Sequence, residues 1–184
     1  MSKPLEVDIF IPCFIDQVYP ETGFNMIKVL EKAGVKINYN PNQTCCGQIA
    51  FNAGFWDDAK KLGEKFIKDF DNGRMIVGPS ASCIGYVRNG FDELFYNGAY
   101  HNEYKQLQRS IFEITDFLVN VVKVTDLGSV FEHKVTFHDS CAALREYKLG
   151  NEPRILLKNV SGLELVEMEN CHECCGFGGT FAIK

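Results

Sequence analysis

Two Cys-Cys-Gly triplets, each trailing a lone cysteine by nearly the same distance, carry the chemistry of this chain. Cys45-Cys46-Gly47 begins 32 positions after Cys13 (45 minus 13), and Cys174-Cys175-Gly176 begins 33 after Cys141 (174 minus 141). Adjacent thiols seldom bridge each other, so a repeated pair at matched spacing points to a duplicated metal or cluster site. Cys83 lies 37 positions beyond Cys46 (83 minus 46) and completes a first set of four: Cys13, Cys45, Cys46 and Cys83. The second half offers Cys141, Cys174 and Cys175. Soft thiolate sulfur suits iron–sulfur clusters or zinc, and four sulfurs satisfy either. Gly47 and Gly176 let the backbone come close to an inorganic core with no Cβ in the way.

Other residues near the triplets have weaker claims. Cys171-His172-Glu173-Cys174 has the Cys-x-x-Cys spacing of a zinc half-site or a redox dithiol. Cys171 has no cysteine counterpart in the first half, where Asn42 stands at the aligned position, so an accessory loop cysteine is an equal reading. His138 and His172 are candidates for contacts to cluster sulfur, although a loop histidine is more often only polar. Gly176-Phe177-Gly178-Gly179 lacks the Lys-Ser/Thr of a phosphate loop and reads as a turn that gives a cluster room. Asp139-Ser140 has no Ser-His-Asp grammar around it. Phe51, Phe55 and Phe177 are expected to shield a cofactor, and Trp56 to fill the core.

The elements that must hold these residues read as alternating strands and helices. Strands are expected at Val7–Ile11, Val35–Tyr39, Arg74–Gly78, Lys134–Phe137 and Leu163–Val166. Helices are expected at Thr22–Ala33, with Phe24, Ile27 and Leu30 on one stripe, at Asp57–Phe70, at Pro153–Lys158, and as one long helix from His101 to about Val122. The alternation implies an α/β fold of two pseudo-symmetric βαβ-type halves with parallel sheets. The cysteines then sit at the carboxyl ends of strands, where parallel sheets collect their functional groups. The halves are expected over residues 1–100 and 133–184, joined by a helical linker over 101–132. Repeating the step from Cys46 to Cys83 after Cys175 predicts a ligand near position 212 (175 plus 37), beyond Lys184. The second half therefore reads as incomplete, and the chain as cut short at its C-terminal side.

Composition narrows the function classes. A net charge of −5 and a pI near 5.4 exclude the basic patch of a nucleic-acid binder. The most apolar run, Phe117–Val124, falls far short of the ~20 residues of a membrane span. The N-terminal residues carry Lys3, Glu6 and Asp8 and do not resemble a secretory signal, so a cytoplasmic location is expected. Eight cysteines then favour metal or cluster ligation over a disulfide framework.

Pro12-Cys13, Asn42-Gln43-Thr44-Cys45-Cys46-Gly47-Gln48, His138-Asp139-Ser140-Cys141 and Cys174-Cys175-Gly176-Phe177-Gly178-Gly179-Thr180-Phe181 together resemble the cysteine-rich CCG domain family. That family includes the B subunit of heterodisulfide reductase and the iron–sulfur subunit of glycolate oxidase, and the likeness is greatest to its lactate-utilization A branch. The resemblance covers the whole chain. It implies iron–sulfur centres, of 4Fe–4S type, on the two cysteine sets. It also implies an electron-transfer subunit of an oxidoreductase complex acting on L-lactate or a glycolate-like 2-hydroxy acid. Other iron–sulfur or flavin subunits would be its partners. The family motif ends each half with Cys-x-x-Cys, whereas this chain has Ser80-x-x-Cys83, one ligand fewer than a five-cysteine noncubane cluster requires. Two rival readings come from other classes: a zinc-stabilised structural or interaction module, and a thiol–disulfide enzyme using Cys171 and Cys174.

Overall fold

In the computed structural model, which describes residues 4–178, alternating side chains of one short strand set the layers of the fold. In β1 (Glu6–Ile9), Val7 and Ile9 join one apolar cluster, while Phe10, just past its end, joins the other. Burial on both faces requires helices on both sides of the sheet. The sheet is parallel throughout, in the order β2-β1-β3-β4, with β2 at Lys36–Tyr39, β3 at Met75–Gly78 and β4 at Ile111–Glu113. Val7 is in register with Ile37 on one side and Met75 on the other.

Between β1 and β2 the chain forms α1 (Cys13–Val18) and α2 (Pro20–Lys32). Met26 and Leu30 of α2 pack on Val7, Ile9 and Val77. Phe24, expected on that stripe, is instead 59% exposed; Gly23, one residue earlier, takes the buried place against Ile11. Between β2 and β3 run α3 (Gln48–Asn52) and α4 (Trp56–Phe70), the latter burying Ala59, Phe66, Ile67 and Phe70. Beyond β3 come α5 (Ala81–Gly85), a π-helical turn over Tyr86–Gly90, α6 (Phe91–Phe95) and α7 (His101–Ser110). Phe10, Phe66, Phe91, Phe95 and Tyr104 meet edge-on or tilted on this second face.

The single long helix expected over His101–Val122 does not form. Its three-four rhythm hides an alternation of period two at Ile111-Phe112-Glu113. Ile111 is buried with the α7 cluster, and Phe112 faces the opposite cluster beside Phe117. These residues add β4 to the sheet, Ile111 in register with Ile76. Glu113 then caps the short α8 (Ile114–Asp116), its Oε2 accepting from the Thr115 and Asp116 amides at 2.7 and 3.3 Å. A π-helical segment, Phe117–Val122, follows.

The second half repeats the opening plan in miniature. A parallel pair, β5 (Lys134–Val135) and β6 (Glu164–Leu165), brackets a π-helical segment at Ala142–Tyr147 and α9 (Glu152–Lys158). The Ala142–Tyr147 segment lies on α5, so closely that a Cβ on Gly85 would meet the Tyr147 nitrogen at 3.0 Å. Among the described residues no helix is long and apolar enough to cross a membrane.

Candidate metal or cluster centre

Each first-half cysteine is placed by the end of a parallel strand. Cys13 opens α1 four residues past β1 (13 minus 9), and Cys45 and Cys46 occupy the loop after β2. Cys83 lies in the first turn of α5 after β3, its amide donating to the capping Ser80 Oγ at 3.5 Å. The strands run side by side, so the four thiols converge at one edge. Cys13 Sγ donates to Cys45 Sγ at 3.5 Å. Cys46, 2% exposed, neighbours both Cys45 and Cys83 and can share its single S–H proton between them, which links the four thiols.

The loop carrying Cys45 is fastened by one side chain. Gln43 accepts from the Ile11 amide at 2.7 Å through Oε1 and donates through Nε2 to the Ile9 and Asn40 carbonyls at 3.2 and 3.1 Å. It thereby joins the β1–Cys13 connection to the loop bearing the double cysteine. The Gly47 amide donates to Cys45 Sγ at 3.4 Å, with Gly47 at φ +90°.

These contacts divide the thiols by acidity. Hydrogen bonds from Cys46, the Gly47 amide and Cys13 lower Cys45 to about 5 against the cost of burial. The Cys46 hydrogen bond, helped by Ser80, also lowers Cys83. The donors move the other way. Burial and the bond to Cys45 raise Cys13 to about 11, and the bonds to Cys45 and Cys83, with burial, raise Cys46 well above the usual thiol range. Thiolates bound to a metal are all deprotonated, so an ion that displaces the Cys13 and Cys46 protons would relieve this competition.

The surroundings fit a thiophilic group. Ile84, Tyr86 and Phe51 pack around Cys45, Cys46 and Cys83 in one apolar cluster. The Tyr86 hydroxyl is buried without a hydrogen-bond partner among the described residues. Burial, then the Cys46 and Cys45 charges, push it strongly upward. A buried donor of this kind beside anionic sulfur suits a bound cluster whose sulfur accepts it. Phe51 is the expected shield that the structure supports. Phe55 and Phe177 are exposed, and Trp56, expected in the core, is 64% exposed and only stacks on Phe51.

The second triplet folds into the same turn. The Gly176 amide donates to Cys174 Sγ at 3.4 Å, with Gly176 at φ +78°. Cys141 precedes the Ala142–Tyr147 segment as Cys13 begins α1. Burial and a hydrogen bond to Cys174 raise Cys141, which puts these two thiols in contact. Cys174 and Cys175 are exposed, unlike their counterparts. Gly179, Thr180 and Phe181 lie outside the described residues. His138 bonds through Nε2 to the Glu173 carbonyl oxygen at 2.8 Å, whereas His172 Nδ1 pairs with Asp139 at 3.0 Å.

Known proteins show the same pattern. Residues 7–88 and 135–184 match the profile of a cysteine-rich domain designated CCG. The chain belongs to the CCG family. A CCG relative from Oceanobacillus iheyensis, named lactate utilization protein A, is 40% identical over 181 residues, covering 98% of this chain and 74% of that protein. Lactate utilization protein A 2 of Bacillus cereus is 38% identical over 181 residues, 98% of this chain and 75% of its own. Lactate utilization protein A 1 of Bacillus anthracis is 37% identical over the same length.

Gln43, Arg154 and Tyr147 carry functions that reading the sequence did not assign. The spacing held a signal for Gln43: it stands two positions before Cys45, as His172 stands before Cys174. Arg154 grips Asp139 with two hydrogen bonds, at 2.8 and 2.6 Å, from a helix with no cysteine of its own.

Proposed function

We propose that this CCG protein is an iron–sulfur electron-transfer subunit of a cytoplasmic oxidoreductase that oxidises L-lactate or a glycolate-like 2-hydroxy acid. Cys13, Cys45, Cys46 and Cys83 would hold one centre, of 4Fe–4S type, and Cys141, Cys174 and Cys175 part of a second. The observation that carries this reading is the continuous chain of four thiols at one sheet edge, 3.5 Å apart at Cys13 and Cys45. The lactate assignment comes from the names of the CCG relatives. A bound iron–sulfur centre would supply one-electron exchange. The chain's own part is to hold it, exclude water with Phe51, Ile84 and Tyr86, and set its potential through the Gly47 amide and the Tyr86 hydroxyl. Removal of the substrate's proton and hydride is assigned to a flavin-bearing partner subunit, and iron–sulfur partners would pass on single electrons.

Anaerobic purification followed by measurement of iron, acid-labile sulfide and zinc per chain tests the reading. Near-stoichiometric iron with matching sulfide is expected, and Cys45→Ser or Cys46→Ser is expected to abolish the visible charge-transfer absorption. Zinc without sulfide would support the alternative, a zinc-stabilised structural or interaction module.

A further inference from the structure

The two halves fasten their double cysteines at the same position by different chemistry. In the first half, Gln43 reaches the amide of Ile11, two residues before Cys13. In the second, His172 reaches Asp139, two residues before Cys141. The amide of Gln43 spends its hydrogen bonds on backbone groups. The second fastening is made of groups that bind metals. Cys171 Sγ lies 3.7 Å from both ring nitrogens of His172, and His172 Nδ1 lies 3.0 Å from Asp139 Oδ2. One donor atom from each of the three residues falls within a mutual distance of 4.8 Å.

We propose that Asp139, Cys171 and His172 form a binding site for one zinc ion, separate from the thiols of the triplets. The spacing suits that ion. Tetrahedral bonds of about 2.0–2.3 Å put neighbouring nitrogen, oxygen and sulfur ligands roughly 3.3–3.6 Å apart. The observed 3.0 and 3.7 Å bracket that range. The sulfur is equidistant from both ring nitrogens, so the exposed imidazole must turn its Nδ1 edge toward the sulfur for the two to share an ion. One soft, one borderline and one hard donor favour zinc over magnesium or calcium, which take oxygen alone.

Arg154 reaches the edge of the site: its Nη2 donates to Asp139 Oδ2 at 2.6 Å and lies 3.7 Å from Cys171 Sγ, so an ion shares these two donors with the guanidinium. It donates to both Asp139 oxygens and to Glu167 at 2.7 and 3.0 Å, and it packs over the Phe137 ring. Each carboxylate oxygen has a second lone pair, so Asp139 can be held by Arg154 and still face a cation. The charges balance on binding. Asp139, Glu167 and a Cys171 thiolate carry three negative charges; Arg154 and a divalent ion supply three positive. The Asp139 amide also donates to the Cys171 carbonyl at 2.9 Å, so the ligand loop and the strand end are already joined. Asp139 is buried, Cys171 half-buried and His172 exposed, which leaves the fourth position open to solvent.

The full chain, purified anaerobically with its iron, is to be equilibrated with limiting Zn²⁺ and desalted. Zinc and iron per chain and the X-ray absorption of the zinc are then measured. One zinc per chain is expected, with one sulfur and otherwise nitrogen or oxygen neighbours. Cys171→Ser and His172→Asn are each expected to weaken zinc binding by about tenfold or more, with iron and sulfide unchanged. His172 is exposed, so its variant keeps the fold. Zinc surrounded by three or four sulfurs, zinc that survives both substitutions but is lost on Cys174→Ser or Cys46→Ser, or no retained zinc would each overturn the proposal. The iron measurement reads the triplets and the zinc measurement reads this site, so either assignment can fail alone.

Discussion

A single amide side chain, Gln43, decides how far apart the first lone cysteine and the double cysteine are held. Its three hydrogen bonds satisfy backbone groups that have left the sheet at the end of β1 and in the loop after β2. Gln43→Ala leaves the Ile11 amide without that acceptor, and a net loss of roughly 1–3 kcal/mol is expected. Urea unfolding of the metal-free chain measures that loss. The same variant should retain less iron after gel filtration, because Cys13 and Cys45 are no longer held together. The cysteines themselves were legible from type and spacing. Gln43 shares its offset from Cys45 with that of His172 from Cys174, but a glutamine side chain gives no hint that its partners are two carbonyls and an amide. Arg154 was hidden for another reason: its contact with Asp139 spans a turn and a helix, and one exposed-looking arginine among many gives no sign of its partner.

At the scale of elements, the Cys-Cys-Gly turn is the unit that recurs. Both copies put glycine at positive φ and aim its amide at the first cysteine of the pair. Gly47 is further hemmed in: a Cβ there would lie 3.1 Å from the Ala59 carbonyl oxygen and 3.3 Å from Leu62 Cβ. Gly54, at φ +88°, has nothing within 4 Å and so serves as a control for backbone strain alone. Gly47→Ala is expected to cost about 1–3 kcal/mol and Gly54→Ala distinctly less, as read from denaturation midpoints of the two variants. Equal costs would show that α4 yields to the new methyl group. The repeated turn could be read because its residues recur; the break at β4 could not. Ile111 and Ile114 satisfy a helical period while Ile111-Phe112-Glu113 also suits a strand, and only the open edge of β3, far away in sequence, selects the strand.

For the molecule as a whole, the junction between halves is the place where stability and pH meet. Tyr147 donates to Asp116 and accepts from the Glu113 amide at 3.0 Å, so the second half rests on the end of β4. Burial raises the Glu113 carboxyl above its ordinary value of 4.5, against the hydrogen bonds from Thr115 and Asp116. A raised carboxyl favours the folded state while it is protonated, and that advantage is lost as pH climbs from about 4.5 through the displaced value. The wild type should therefore lose stability relative to Glu113→Gln, which stays neutral, over that interval, as measured by urea unfolding at stepped pH. A constant difference would place the carboxylate's cost elsewhere. The same junction has a consequence for synthesis. Every strand of the main sheet and every thiol of the first set has left the ribosome once Glu113 has emerged, whereas Tyr147 comes 34 residues later (147 minus 113). The four thiols of the first set are thus all present on a nascent chain before the Ala142–Tyr147 segment arrives to pack on α5 against Gly85. Assembly is ordered by translation, with the packing partner of α5 written downstream of every thiol in the first set.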